Sequence, residues 1–370
     1  MRPLTILHTE SSCGWGGQEI RIVTESAGMI RRGHKIIIAC QPDSWISKRT
    51  PEYGIDVIEA RLGGATDIKG IMNIRREIRR HDIDLVSTHS SKDSWTAGLA
   101  AKMAGVKVVR TRHLGELVSR GAAGRFIYGK LPDAVVTTGD VVLEHLVRDV
   151  RVRRDKVVSI PTGIDLDRFD PDRVDGSVFR NELGILPENI LIGMLGMLRK
   201  VKGHSFLIEA TAELIAEFPQ LRVVLVGDIA FDSPIKERLH KEIAERGLIG
   251  KVLMPGYRTD VPQVLAAMDV FVHPSLEEGV SQAISQALAM KKPTVASDAG
   301  ATKEQILDGE TGLLVERGNS RQLATAIQRL LRNPEDARRM GENARKLVER
   351  KFSYEAMLDS TEEVYARLFL

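Results

Sequence analysis

At 370 residues the chain exceeds the usual size of one hydrophobic core, so its length predicts two domains. Hydrophobic residues make up 43% and charged residues 28% of the chain, which is typical of soluble globular proteins, and no apolar run is long enough to cross a membrane. Two cysteines give neither a disulfide framework nor zinc-ligand spacing, which predicts a reducing, cytoplasmic location, and the net charge is only +3.

Apolar, β-branched runs alternate with helix-length amphipathic stretches along the first half of the chain. A helix is predicted over 18–32, where Gly33 ends it. The predicted strands are LTILHT (4–9), HKIIIAC (34–40), IDVIEA (55–60), DLVSTHS (84–90), KVVRTRH (107–113), AVVTTG (134–139) and KVVSIPTG (156–163). This alternation is typical of a parallel sheet covered by helices on both faces.

Residues 161–175 interrupt the alternation of strands and helices with prolines, glycine and aspartates, and they are predicted to be a linker. A second alternating set follows, and the end of the chain is helical from Ser320, with an interruption at Asn333-Pro334. The predicted strands here are 190–197, 221–228, 251–257, 270–275, 293–298 and 312–315, with helices at 204–217, 235–246 and 261–268. We therefore expect domains at 1–165 and 166–352, followed by a helix at 353–370 that packs back on the first domain.

Ligands of such sheets bind at the carboxyl ends of the strands, so the turns there are candidate sites. After the first strand, Gly14, Gly16 and Gly17 let the backbone approach a phosphate or a sugar, with helix amides behind them. The same glycines could serve only to pack a tight turn. The turn lacks G-x-G-x-x-G, and Cys40 ends the next strand where an acidic residue would be needed, so a dinucleotide oxidoreductase is not favoured.

A second turn, residues 196–203, carries Arg199, Lys200 and Lys202 after a predicted strand. Three cations there favour an anionic ligand, and a diphosphate leaving group fits this requirement. Arg199 offers a planar fork, and Lys202 offers a mobile point charge near the start of a helix. The alternative is a solvated surface turn.

The stretch from 273 to 290 places Glu277 and Glu278 before Gly279 and a run with helical apolar spacing. An anionic ligand at Gly279 would meet free amides and the positive end of the helix dipole. Gln286 lies further along the same helix, where its side chain could make a second polar contact with an elongated ligand. The alternative is an acidic surface turn that caps a helix.

Four histidines, His8, His89, His113 and His273, lie at or near the carboxyl ends of predicted strands. Such a histidine can hydrogen-bond a substrate hydroxyl or act as an acid or base. Four cannot all be catalytic, and one taken alone is more often structural.

The sequence contains two Asp-x-Asp pairs. The pair at 82–84 precedes a strand and the pair at 165–167 lies in the linker, so neither supports a metal site. No Ser-His-Asp order or nucleophile elbow stands out, so hydrolase chemistry of that kind has no candidate.

Several short motifs occur along the chain in a specific order and spacing. They are Gly16-Gly17-Gln18-Glu19, Arg31-Arg32-Gly33-His34, residues 161–169, Lys202-Gly203, residues 270–275 with Glu278-Gly279, residues 297–300 with Glu304, and residues 308–315. Over nearly the whole chain this set resembles glycosyltransferase family 4, a group of retaining enzymes. The resemblance implies the α/β GT-B fold, in which two Rossmann-like parallel-sheet domains face each other across a cleft.

The resemblance also implies a nucleotide-diphosphate-sugar donor bound by the second domain and a glycan or lipid-linked acceptor bound by the first. Lys202 would neutralise the diphosphate, Glu278 would contact sugar hydroxyls, and His113 would lie near the reacting sugar. The other implied donor contacts are Gly16, Gly17, Arg199, Tyr257 beside the base, the amides of Gly279, Val280 and Ser281, and Gln286 at the ribose. Neither a cofactor nor a metal ion is implied, since cations and helix ends take the part of a divalent ion.

The sequence departs from the family pattern at three places. Gln286 stands where the family has a second glutamate, so a carbonyl replaces a charged carboxylate. Met197 stands where an arginine usually follows the glycine, with Arg199 two places later. The turn that is usually glycine-rich reads Gly227-Asp228-Ile229-Ala230-Phe231.

We therefore expect a retaining glycosyltransferase of cell-envelope polysaccharide or lipopolysaccharide synthesis, with His113, Arg199, Lys202 and Glu278 as its catalytic residues. No obvious carboxylate nucleophile is present in the first half, which fits front-face substitution better than a covalent intermediate. The alternatives are a nucleotide-sugar-binding protein without activity and a nucleotide-sugar epimerase of the same fold.

The basic residues are concentrated in the first half of the chain. Singly, a cluster such as Arg75 to Arg80 is typical of a solvated helix face. Together the clusters favour peripheral contact with an anionic membrane, at the inner face of the cell membrane. Aromatic residues are sparse and are not interleaved with the basic clusters, which argues against nucleic acid as a partner.

Overall fold

The structure is a computed structural model that describes residues 2–113, 118–229 and 234–370. The chain forms two compact units, of which the first contains Met1–Thr162 and Glu355–Leu370 and the second contains Gly163–Tyr354. Each unit is built on a parallel sheet with helices packed against it. Within the described ranges, no helix is both long enough and apolar enough to cross a membrane.

Strands and helices alternate along both units. The strands are β1 (Thr5–Glu10), β2 (Lys35–Cys40), β3 (Asp56–Glu59), β4 (Leu85–Thr88), β5 (Lys107–Arg112), β6 (Ala134–Thr137), β7 (Val157–Ser159), β8 (Ile190–Leu195), β9 (Leu221–Val226), β10 (Val252–Gly256), β11 (Val270–His273), β12 (Thr294–Ser297) and β13 (Leu313–Val315). The helices are α1 (Gly17–Arg31), α2 (Trp45–Arg49), α3 (Ile68–Arg80), α4 (Ser91–Ala104), α5 (Ala122–Arg125), α6 (Asp140–Arg148), α7 (Ser177–Glu182), α8 (His204–Leu214), α9 (Ile235–Glu245), α10 (Val261–Ala267), α11 (Gln282–Ala289), α12 (Thr302–Gln305), α13 (Ser320–Arg332), α14 (Pro334–Leu347) and α15 (Tyr354–Arg367).

The sheet of the first unit has the strand order β3-β2-β1-β4-β5-β6-β7. The register pairs His8 of β1 with Ser87 of β4, so the carboxyl ends of neighbouring strands lie at one edge. Helix α15 returns to this unit from the end of the chain. Arg32, just after α1, forms ion pairs of 2.6 to 2.9 Å with Glu355, Asp359 and Glu362.

The sheet of the second unit has the strand order β10-β9-β8-β11-β12-β13, and its four central strands are almost wholly buried, whereas the edge strand β10 is half-buried. Since both faces carry helices, Leu191 and Ile192 of β8 are both fully buried although they point to opposite faces. The helix predicted from Ser320 is interrupted where expected, because α13 ends at Arg332 and Pro334 begins α14. The predicted α/β class with two Rossmann-like parallel-sheet domains is confirmed.

Candidate active site

Glu278 lies at the centre of a polar cluster in the second unit. Its Oε2 atom accepts hydrogen bonds from Nζ of Lys202 at 2.6 Å, from Nε2 of His273 at 2.7 Å and from Oγ of Ser275 at 3.1 Å. His273 ends β11 and Lys202 lies in the turn after β8, and these strands are neighbours in the sheet. The sheet thus joins Lys202 to Glu278 although 76 positions separate them in sequence.

The cluster keeps Glu278 ionised. Burial by itself raises the pKa of this carboxyl, but the hydrogen bond from His273 and the charges of His273 and Lys202 outweigh burial and lower the pKa to about 2. Since a carboxylate only accepts hydrogen bonds, Nε2 of His273 carries the hydrogen. The result is a fixed negative charge at the carboxyl edge of the sheet, with a cation directly beside it.

Two glycines allow the backbone around Glu278 to pack this closely. Gly203 has a φ of +75°, and a Cβ atom on it would lie 2.0 Å from the carbonyl oxygen of Pro274. Gly300 has a φ of +58°, and a Cβ atom there would lie 2.0 Å from the carbonyl oxygen of Glu278. No other residue fits these positions without moving the backbone that carries the cluster.

The loop after Glu278 is held by Gln305, a fully buried residue that sequence reasoning missed. Its Oε1 atom accepts from the amide of Ser281 at 2.8 Å, and its Nε2 atom donates to the carbonyl oxygen of Ser281 and to Oγ of Ser285. The helix α11 begins at Gln282, so Gly279 lies three residues before it. Of the three amides expected to meet the donor, that of Ser281 is therefore already occupied.

The remaining expected donor contacts of the second unit are Arg199, Gln286 and Tyr257. Arg199 is exposed directly before the turn that carries Lys202, and Gln286 is half-buried within α11. Tyr257 follows β10 and is 74% exposed. It borders a cavity of about 300 Å³ that Met197 and Asp228 also line. The turn expected at 227–231 is only partly described, since Ala230 and Phe231 lie outside the described residues.

In the first unit, the glycine turn opens α1 as expected. Gly16 is the N-cap of α1 and Gly17 is its first residue, and the amide of Gly16 donates to Oε2 of Glu19 at 2.8 Å. Beside this turn lies Glu10, a fully buried carboxylate that the sequence analysis did not single out. It accepts from the amide of Ser12 at 2.7 Å and from the side chains of Gln18 and Ser90. Its oxygens are thus occupied by protein donors.

Three of the four strand-end histidines form one hydrogen-bonded row, which we call the histidine chain: His8, His89 and His113. Nδ1 of His8 lies 2.9 Å from Nε2 of His89, and Nδ1 of His89 lies 2.9 Å from Nε2 of His113. The rings of His8 and His89 are stacked, with centroids 5.1 Å apart. The adjacency of β1, β4 and β5 in the sheet produces this row.

The histidine chain is electrically neutral at ordinary pH. Burial lowers the pKa of His8 to about 4. Burial, together with neighbouring arginines and the other imidazoles, lowers the pKa values of His89 and His113 well below the ordinary value. Each ring therefore carries one N–H and one lone pair.

Two family models match the chain, one in each half. The model described as Glycosyltransferase Family 4 matches residues 15–168, and the model described as Glycosyl transferases group 1 matches residues 177–347. The chain belongs to glycosyltransferase family 4. The resemblance seen in the sequence is confirmed, and the protein is a glycosyltransferase.

Relatives of this glycosyltransferase match over most of its length. The UDP-Gal:alpha-D-GlcNAc-diphosphoundecaprenol alpha-1,3-galactosyltransferase of Escherichia coli is 28% identical over 312 residues, which are 81% of this chain and 79% of the relative. A D-inositol 3-phosphate glycosyltransferase of Streptomyces bingchenggensis is 27% identical over 318 residues, which are 80% of this chain and 69% of the relative.

Solved structures share the fold of this glycosyltransferase. A glycosyltransferase of Rickettsia africae superposes with a TM-score of 0.91 at 24% identity, covering 100% of this chain and 99% of that one. HepE of Anabaena, solved in complex with UDP, superposes with a TM-score of 0.87 at 22% identity, covering 98% of this chain and 100% of that one. The expected GT-B class is confirmed by these neighbours.

Proposed function

We propose that this glycosyltransferase moves a sugar from a nucleotide-diphosphate-sugar donor to a glycan or lipid-linked acceptor with retention of anomeric configuration. The observation that carries the proposal is the cluster of Glu278, Lys202 and His273, where a fixed anion and a mobile cation share one sheet edge. Sugar hydroxyls suit the carboxylate, and a diphosphate suits the cation. HepE of Anabaena was also solved with UDP-glucose, which makes uridine diphosphate sugars the first donors to test.

In the reaction we propose, the bond between the anomeric carbon and the β-phosphate oxygen breaks while the acceptor oxygen bonds to the same face of that carbon. The acceptor proton passes to the departing phosphate oxygen, so no enzyme carboxylate is consumed. Lys202 stabilises the negative charge that develops on the diphosphate, with Arg199 as a second cation. Glu278 orients the sugar through its hydroxyls, and Tyr257 lies where the base would be flanked.

The donor can be identified by a thermal-shift panel of uridine, guanosine and adenosine diphosphates and their sugars, because a ligand that binds the folded state raises its stability. The ligand that shifts the melting temperature most is then offered in radiolabelled form with lipid-linked and soluble glycans. Acceptor-dependent release of the nucleoside diphosphate supports transfer. Conversion of the donor sugar without any acceptor would instead show an epimerase, and binding without turnover would show a nucleotide-sugar-binding protein.

For the acceptor we propose a lipid-linked glycan of cell-envelope synthesis, held at an anionic membrane. The Escherichia coli relative is named for a diphosphoundecaprenol-linked acceptor. Helix α3 supports membrane contact, because Ile68 is 72% exposed and Met72 is 42% exposed on a helix that also carries Lys69, Arg76 and Arg79. Exposed apolar groups among cations are typical of helices that lie on anionic lipid.

Membrane contact is tested by sedimentation with vesicles of phosphatidylglycerol and phosphatidylcholine. We expect binding that falls with salt and is lost when Lys69, Arg76 and Arg79 are changed to Gln. The same change at Arg338, Arg339 and Lys346, exposed on α14 of the second unit, is the matched control and should leave binding unchanged. Binding that ignored lipid charge, or equal loss in both variants, would contradict the role of α3.

A further inference from the structure

The histidine chain has a direction, because neutral imidazoles each offer one N–H and one lone pair. With Nδ1 of His8 facing Nε2 of His89, and Nδ1 of His89 facing Nε2 of His113, the hydrogens all lie on Nδ1 or all on Nε2. The first order leaves His113 with its hydrogen on Nδ1, the nitrogen that takes no part in the chain. The second order leaves that nitrogen with a lone pair, as a base requires.

Ser87 is compatible with both orders. Its hydroxyl oxygen lies 3.4 Å from Nε2 of His89, and a hydroxyl can donate to a lone pair there or accept from an N–H there.

The inner end of the histidine chain, at His8, favours the first order. Nε2 of His8 is buried and has no hydrogen-bond partner among the described residues. If the hydrogens lay on Nε2, this atom would be a buried N–H with nothing to accept it, an arrangement that proteins rarely tolerate. If they lie on Nδ1, only an unused lone pair remains there.

We propose that His8 and His89 are positioning residues that hold His113 as the neutral tautomer with its hydrogen on Nδ1. His113 then donates a hydrogen bond to a substrate oxygen and does not act as a base. For Nδ1 of the neutral His113 ring to accept a proton, the hydrogen of every ring in the histidine chain would have to move from Nδ1 to Nε2. This would place a hydrogen on the unpartnered Nε2 of His8. The assignment of a substrate contact to His113 rests on the proposed function, whereas the tautomer does not.

The charges around the chain also oppose its protonation. Arg21, Arg110 and Arg112 lower the pKa of His113, and Arg21 and Arg110 also lower that of His89. Nε and Nη1 of buried Arg110 have no hydrogen-bond partner among the described residues.

The carboxyl groups near the histidine chain do not reverse this lowering of the histidine pKa values. Burial, with the charge of Glu10 beside it, raises the pKa of Asp93 to about 7, and Asp93 accepts from the backbone amide of His89, not from its ring. Glu25, near Tyr365, is buried, and burial raises its pKa too although Arg21 works against this. The histidine chain therefore stays neutral.

The tautomer can be read directly from ¹⁵N–¹H long-range correlation spectra of the full-length protein labelled with ¹⁵N histidine. The His113 signals are identified by their loss in His113→Gln. We expect a protonated Nδ1 and an unprotonated Nε2, with no titration of His113 between about pH 5.5 and 8, since the unperturbed value is about 6.5. A hydrogen on Nε2, or titration near 6.5, would overturn the proposal.

Two variants of His89 separate the hydrogen bond from simple packing. In His89→Asn the side-chain amide can still donate to Nε2 of His113, whereas in His89→Phe it cannot. We expect His89→Asn to keep the Nδ1 tautomer and a transfer rate within about threefold of wild type. In His89→Phe we expect the ¹⁵N spectra to show His113 shifted toward the tautomer with its hydrogen on Nε2, and kcat to fall by more than about threefold.

Equal loss of transfer in both variants, with His113 wholly in the Nδ1 tautomer in His89→Phe, would contradict the positioning role. If His89→Phe does not fold, the wild-type spectra and His8→Asn, which keeps a donor toward His89, decide the matter. An unchanged transfer rate in His113→Ala would remove the proposed substrate contact but leave the tautomer standing. The two failures are therefore distinguishable.

Discussion

Glu278 and Lys202 contact each other in the second unit, so each compensates the charge of the other. An isolated carboxylate that is 12% exposed would be driven toward its neutral form, and Lys202 prevents this together with His273. In the proposed complex, a diphosphate beside Lys202 would share this cation with Glu278, and the hydrogen bond from His273 would hold the carboxylate in place.

Lys202→Ala tests the phosphate contact. We expect kcat to fall by about 100-fold or more, because one directed cation is lost where charge develops on the leaving group. Lys200→Ala, which removes an exposed cation from the same turn, is the control and should change kcat by less than about threefold. Initial rates of nucleoside diphosphate release measure both. Similar rates for Lys202→Ala and wild type would contradict the assignment.

Glu278→Gln tests the electrostatics of the cluster. The folded-state pKa of about 2 lies below the ordinary value of 4.5, so the ionised carboxylate stabilises the fold above about pH 4.5 and this stabilisation is lost as pH falls toward 2. We expect the substitution to lower the unfolding free energy by about 1–3 kcal/mol at pH 7. The difference from wild type should shrink in acid, as measured by urea titration at several pH values. A pH-independent difference would show that packing, not charge, is lost.

At the scale of elements, the polar cluster around Glu278 depends on close contacts that two glycines make between neighbouring turns. The turn after β8 contacts the segment after β11 at Gly203 and Pro274, and Gly300 contacts Glu278 from the turn after β12. The sequence singled out these turns and the side chains of Lys202 and Glu278 because they follow predicted strands. It missed Gln305, because a polar side chain in a short helix gives no signal until its partner Ser281 is known to lie beside it.

Gly203→Ala tests this contact between turns. We expect a loss of several-fold in kcat and of about 2–4 kcal/mol in unfolding free energy, since the methyl group adds a clash with Pro274 to the cost of a positive φ. Gly309→Ala is the matched control, because Gly309 has a φ of +76° but open space around its Cβ position. It should cost only about 1 kcal/mol and leave kcat unchanged. Equal effects of the two substitutions on stability and kcat would contradict the contact.

At the scale of the whole molecule, the chain returns at its end to the unit in which it began. Helix α15 buries Leu358, Val364 and Tyr365, and it supplies three acidic partners for Arg32. Through Tyr365 and Ser87 it also reaches the histidine chain. The last helix is therefore part of the core of the first unit.

Deletion of residues 355–370 should destabilise the first unit selectively. We expect increased hydrogen–deuterium exchange in β1, α1 and β4, with little change in β8 and β11 of the second unit, because the lost apolar contacts all belong to the first core. Mass spectrometry of peptic fragments resolves the two units. Deletion of Leu370 alone, which is exposed, is the control. Uniform protection in both units of the truncated chain would show that α15 is dispensable.

The sequence by itself determined the alternation of strands and helices, the α/β class, the break before Pro334 and the family, because these depend on local periodicity and on the order of short motifs. It also singled out Lys202, Glu278 and the strand-end histidines. Only the tertiary structure decided which of these meet: His273 with Glu278, and His8 with His89 and His113. The strand order sets these contacts, and it depends on long-range packing that no local pattern records.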